Sequence, residues 1–118
     1  FFAANNISEI NFIKCDVEGH ELEVFQGGEN FFKINRPKIL VESEARHCGE
    51  KKVNDFFSYM KSIDYCGYYF EDGSLKSIDN YDLFEFQIDP KRSTYINNFV
   101  LNLNNKFGIT LFRYIVYG

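Results

Sequence analysis

The run Ile10-Asn11-Phe12-Ile13-Lys14-Cys15-Asp16-Val17-Glu18-Gly19-His20-Glu21-Leu22-Glu23-Val24 constrains this chain most. A short apolar stretch ends abruptly in two acids and a glycine, and a helical pattern follows. That order reads as strand, turn and helix. Phe12, Ile13, Cys15 and Val17 suit a strand buried on both faces, as in parallel sheets, and Gly19 can take backbone angles closed to other residues. The strand is expected over residues 11–16, so Asp16 and Glu18 stand at its carboxyl end. In open α/β sheets that edge is where ligands bind, which makes the two carboxylates candidate site residues.

A helix is expected after the turn. Glu18, Glu21 and Glu23 fall where it begins, each worth ~0.3–1 kcal/mol against the positive end of its dipole when exposed. Leu22, Val24, Phe25, Gly28, Phe31 and Phe32 form a broad apolar face at helical spacing, and Gly28 is expected to let the helix lie close to the sheet. Pro37 requires the helix to have ended by Arg36. Ile39, Leu40 and Val41 then predict a second strand over residues 38–44, with Glu42 marking its carboxyl end. Strand, helix and strand make a βαβ unit whose strands are parallel, so Asp16 and Glu42 are expected at one edge of the sheet.

Residues 45–50 read as a polar loop. Val53, Phe56, Phe57, Met60 and Ile63 then recur at i, i+3, i+4, i+7 and i+10, the cleanest helical pattern in the chain. A third strand is expected over residues 65–70. Asp72-Gly73 is a two-residue hairpin signal that would fold residues 75–78 back on it. Residues 71–97 read as a variable insertion, within which residues 81–92 are a substrate-facing stretch without a defined class. A further strand is expected over residues 98–103, and residues 105–118 form a tail of unknown role. The chain is read as one domain, 1–118.

Composition narrows the partners. The 118 residues are 45% hydrophobic and 19% aromatic, enough for a core in one small domain. A formal charge of −4 without a basic patch argues against nucleic acid as a partner. No apolar run approaches membrane-spanning length, so no membrane partner is expected and the location is read as cytoplasmic. Cys15, Cys48 and Cys66 are widely spaced, without Cys-x-x-Cys or His-x-x-x-His, and read as reduced thiols with no metal site. The adjacent His47 and Cys48 lack a third ligand at sensible spacing.

Lys14-Cys15-Asp16-Val17-Glu18-Gly19-His20-Glu21-Leu22-Glu23-Val24, with Gly27, Gly28, Arg36-Pro37 and Ile39-Leu40-Val41-Glu42 after it, resembles the signature of the FkbM-family methyltransferases. The resemblance covers roughly residues 7–73 and, more weakly, 97–103. Cys15 stands where the family usually has Ile or Leu, and Phe25 where it has Leu.

The resemblance implies a Rossmann-like class I methyltransferase sheet and S-adenosylmethionine as cofactor. It also places the last, antiparallel strand of such a sheet at residues 98–103. The glycine-rich turn of the cofactor half, G-x-G-x-G, does not occur in these residues. The chain therefore reads as the carboxyl-terminal portion of the domain, a truncated chain or a fragmentary gene product, inactive by itself. The implied reaction is O-methylation of a small molecule or glycan. Asp16 and Glu18 are the candidate catalytic acids, Asp16 also faces the cofactor, and His20 and Glu42 are candidates for binding substrate.

Blander readings stand beside these. Asp16 could cap the following helix. Glu42 could be a surface carboxylate or a partner of Lys14, and Tyr68, Tyr69, Tyr81 and Phe84 are better read as core than as a stacking platform. A different class also fits: a non-catalytic α/β interaction module that self-associates through an exposed sheet edge. A hydrolase using Asp16 and Glu18 as paired acids lacks a nucleophile or metal signature.

Overall fold

The computed structural model describes residues 11–103. Five strands form one open sheet: β1 (Phe12–Cys15), β2 (Lys38–Glu42), β3 (Cys66–Glu71), β4 (Ser74–Ser77) and β5 (Asn98–Asn102), in the order β1-β2-β5-β3-β4. β1 and β2 run parallel, with Cys15 opposite Val41. β5 is antiparallel to both β2 and β3, so it separates strands that point the same way. β4 pairs antiparallel with β3 across the Asp72-Gly73 turn, where both residues have positive φ, 50° and 76°.

The fold is thus mixed α/β, and the expected βαβ unit, hairpin and antiparallel final strand are present. β2 is shorter than expected: it ends at Glu42, leaving Ser43 and Glu44 beyond the strand. Residues 105–118, the tail of the sequence reading, lie outside the described residues.

β1 is not buried on both faces. Phe12 is 42% exposed and Lys14 is exposed, while Cys15 is buried, because only the face that carries Ile13 and Cys15 packs on the core. Its inward face alternates with its open one in the period-two pattern of a half-covered strand.

Two helices fill the first crossover instead of one. α1 (Glu21–Gly27) and α2 (Glu29–Asn35) meet at Gly28, which leaves the helical conformation at φ −104°, ψ 18°. Gly28 does not bring the helix to the sheet: a Cβ there would lie 2.8 Å from the ring of Phe32, so the glycine makes room for that ring. Phe25 and Phe32 are buried with their rings 4.6 Å apart and tilted by 40°, whereas Val24, expected on the same face, is 42% exposed.

The polar loop expected at 45–50 contains a short helix, α3 (Ala45–Cys48), and α4 (Glu50–Ser62) follows directly after Gly49. Val53, Phe56 and Met60 of α4, with Ile63 just beyond it, are buried as their spacing requires. Phe56, Met60 and Ile63 pack with Phe25 and Phe32 on the sheet face that carries Cys15, Ile39, Val41, Tyr69, Phe99 and Leu101. Tyr59 of α4 donates a 2.8 Å hydrogen bond to Glu29 of α2, tying the two helical segments together.

A smaller cluster of Leu40, Tyr68, Phe70, Leu75 and Val100 occupies the opposite face. Residues 84–88 form a π-helical turn, and its Phe86 joins Tyr69, Tyr81 and Phe99 in a chain of aromatic contacts at 4.9–5.7 Å. Part of the stretch read as a variable insertion is therefore core, although Phe84 points outward at 56% exposure.

Phe25→Ala removes a ring with no exposed surface from the contact between Phe32 and Phe56, and is expected to cost about 3–5 kcal/mol. The exposed neighbour Val24→Ala should stay within about 0.5 kcal/mol. Urea unfolding of the two variants measures the difference, and equal effects would place the apolar face elsewhere.

Candidate functional site

The turn after β1 is built by backbone shape and packing. Glu18 at φ 49° and Gly19 at φ 101° reverse the chain. Gly19 is buried against α3: a Cβ there would sit 3.2 Å from the Cβ atoms of both His47 and Cys48. The Gly19 amide donates to Glu21 Oε1 at 3.3 Å, and the His20 amide donates to the Val17 carbonyl at 3.3 Å. Glu21 was expected at an exposed helix start but is only 3% exposed. Its position in the first turn of α1, together with the Gly19 amide, offsets part of the cost of burial.

Asp16 and Glu42 come together as their register predicts, since the positions after Cys15 and Val41 face one edge. Asp16 is exposed, but near enough to Glu42 to disfavour a second charge there. It does not cap α1: His20 occupies that position, and no side chain caps the helix. Glu18 and His20 are exposed on the turn itself. Glu42 binds Asn97, whose Nδ2 donates to Glu42 Oε1 at 3.0 Å, and it shares a hydrogen bond with Glu44.

Glu44 is the residue that the sequence reading left without a role. It is 1% exposed, one of the few charged side chains inside the molecule. Arg46 Nε donates to its Oε2 at 2.7 Å and Arg46 Nη2 to its Oε1 at 3.3 Å. His47 Nε2 lies 3.6 Å from Oε1, and the Tyr95 hydroxyl donates to Oε2. The backbone around it is pinned by the buried Gln87, whose Oε1 accepts from the Ala45 amide at 2.7 Å while its Nε2 donates to the Ser43 carbonyl at 2.9 Å.

The two neighbouring carboxyls titrate apart. The hydrogen bond with Glu44, then burial, then the charge of Asp16 push Glu42 up to about 7. Burial acts on Glu44 in the same direction, but hydrogen bonds from Glu42, Tyr95, Arg46 and Asn97 outweigh it and hold its carboxyl at about 2. One proton is therefore held on Glu42 and the charge on Glu44, where the donors converge. Such a pair can take up or release a proton near neutral pH.

A cavity of about 240 Å³ is lined by Tyr95 and Asn97, the residues that hydrogen-bond this pair. It is lined by Leu40, Phe70 and Val100 on its apolar side and by Tyr95, Asn97 and Asn98 on its polar side. Leu40 and Glu42 are two residues apart on β2 and so share a face. Nothing local in the sequence marks the donors of Glu44 and Glu42, because Tyr95 and Asn97 lie 51 and 55 residues away from them.

The remaining candidates have ordinary surroundings. Cys15, Cys48 and Cys66 are free thiols, and burial pushes Cys15 up to about 11. Among the described residues no group of three or more His, Cys, Asp and Glu side chains could hold a metal ion. No helix among them is long and apolar enough to cross a membrane.

The raised Glu42 carboxyl gives a pH signature. Between about 4.5 and about 7 the folded chain keeps a proton that the unfolded chain has lost, so stability falls as pH rises through that window. Glu44 acts in the opposite sense: its contribution is complete above about 4.5 and is lost as pH falls toward about 2. Glu42→Gln is expected to abolish the upper slope in urea midpoints measured against pH while leaving the acid limb. A slope that persists would place the proton elsewhere.

Residues 1–70 match the family model of the methyltransferase FkbM domain. No curated protein and no solved structure matches the chain. The matched stretch is more than half of the 118 residues and holds β1, the Glu18–Gly19 reversal, β2 and both acids of the shared-proton pair. On that match the chain belongs to the FkbM methyltransferase family.

Proposed function

We propose that these residues form the acceptor side of a Rossmann-like class I methyltransferase domain, its carboxyl-terminal half, which uses S-adenosylmethionine to methylate a hydroxyl of a small molecule or glycan. The observation that carries the reading is the convergence of Asp16 and Glu42, both inside the family match, at the carboxyl edge of two parallel strands. The final antiparallel strand slotted between β2 and β3 supports the same sheet type.

The described residues fit the cationic end of such a donor. Asp16 is an exposed carboxylate at the strand edge, complementary to a sulfonium, and Glu44 carries the negative charge of the acid pair. No glycine-rich cradle for the nucleoside occurs in the sequence. A bound donor would supply an electrophilic methyl group on a sulfonium, whose sulfur would leave as a neutral thioether. The chain's part is to hold the acceptor against that methyl and to accept its proton. Asp16 orients the charged centre, the exposed Glu18 and His20 border the approach, and the cytoplasm is the proposed location.

Titration calorimetry of the chain with S-adenosylmethionine is expected to show binding weaker than about 1 mM, about −4 kcal/mol, since the nucleoside has no cradle. A tight one-to-one isotherm would overturn the division of the domain. In a domain completed by its glycine-rich half, Asp16→Asn should lower turnover by about tenfold or more while moving stability by less than about 0.5 kcal/mol. Parallel losses in both would make Asp16 a residue of the turn.

The open side of β1 favours a second reading. Among the described residues β1 is an edge strand with a half-exposed Phe12, a surface suited to pairing with another copy. Light scattering distinguishes a defined dimer from a monomer.

A further inference from the structure

We infer that the cavity beside β2 seats the ring of the acceptor alcohol and that Glu42, hydrogen-bonded to Asn97 of the cavity wall, is the base that takes the hydroxyl proton. This rests on the methyl-transfer reading above and names the site and the proton acceptor within it. The ligand class is an alcohol carried on a compact apolar ring.

Two structural features meet at one place. The cavity has room for one ring: about 240 Å³ lies below the roughly 300–1,000 Å³ of sites for drug-sized ligands. Leu40, Phe70 and Val100 offer it an apolar wall, and Asn97 and Asn98 offer amides to oxygen substituents. Tyr95 and Asn97 line the cavity and also bond the acids, Tyr95 to Glu44 and Asn97 to Glu42. Asn97 thus joins the cavity wall to the half-buried Glu42 carboxyl, and Asn98, also in that wall, stands opposite Glu42 in the β2–β5 register.

The proton step is simple. The acceptor O–H bond breaks, its electron pair stays on oxygen for the new bond to carbon, and the proton passes to a carboxylate oxygen of Glu42. It leaves later to water. A base serves best with a pKa near the working pH, and Glu42 is pushed up to about 7. Glu44 and Tyr95 are positioning residues. Glu44 stays anionic through Arg46, Tyr95 and Asn97, and so keeps the exchangeable proton on Glu42. Asp16, Glu44 and Arg46 are the charged groups acting on Glu42: the first two favour its protonation and the last opposes it.

The test uses the chain itself with carboxyl-labelled glutamate, followed by ¹³C NMR against pH, and with cyclohexanol as probe. Glu42 is expected to titrate near neutral. Both Glu44→Gln and Tyr95→Phe should move it toward the ordinary carboxylate range of about 4.3, the first by removing a neighbouring charge, the second by loosening that charge's hold. Tyr95→Phe keeps the test decisive if Glu44→Gln fails to fold. Cyclohexanol should shift the resonances of Leu40, Val100 and Asn97 and perturb the Glu42 titration, and Leu40→Phe should abolish the binding while leaving that titration in place.

Glu42 titrating in the ordinary range, or cyclohexanol leaving the cavity residues unmoved, overturns the inference. Neither measurement involves a methyl donor. Loss of this site would leave the family assignment intact, and failure of methyl transfer in a completed domain would leave the site as an alcohol-binding acid pair.

Discussion

The pairing of β5 with β2 is the contact on which the rest of this molecule depends. Its register sets Phe99 opposite Val41 and Leu101 opposite Ile39, four residues with no exposed surface, so one antiparallel ladder closes the centre of the sheet. The same register sets Asn98 opposite Glu42 and delivers the preceding residues, Tyr95 and Asn97, to the carboxyl end of β2. Core and site are therefore one construction. A slip of one residue would turn Phe99 and Leu101 to the open face and carry Asn97 away from Glu42.

The acid pair shows how a buried charge is made tolerable. Glu44 is almost fully enclosed, a location that raises a carboxyl unless donors meet it. Here Arg46 comes from the helix that begins beside it, and Tyr95 comes from the approach to β5. Glu42 has fewer donors and Asp16 nearby, so the shared proton resides on Glu42. Their environments push two neighbouring carboxyls apart, which is the physical condition for separate proton roles.

The aromatic richness of the chain is spent mainly on packing. Tyr81 touches Phe57, Tyr69, Phe86 and Phe99, and its hydroxyl donates to the Ile96 carbonyl, so the π-helical segment is fastened to the sheet. Gln87 on that segment then reaches across to Ser43 and Ala45. An irregular stretch without a clear pattern thereby becomes the support for the backbone that carries Glu44.

Local periodicity and turn chemistry determined a good deal by themselves. Val53, Phe56 and Met60 announced α4, Asp72-Gly73 announced the hairpin, and Ile39 to Val41 announced β2, because the backbone repeat places such residues on one face whatever lies beyond. The motif through Gly19 likewise carried the family and the edge shared by Asp16 and Glu42. The break at Gly28, the open face of β1 and the burial of Glu21 were decided by neighbours, since each depends on what occupies adjoining space. So was the charge on Glu44: its donors are distant in sequence, and protonation follows from which groups surround a carboxyl in three dimensions, a quantity no local stretch encodes.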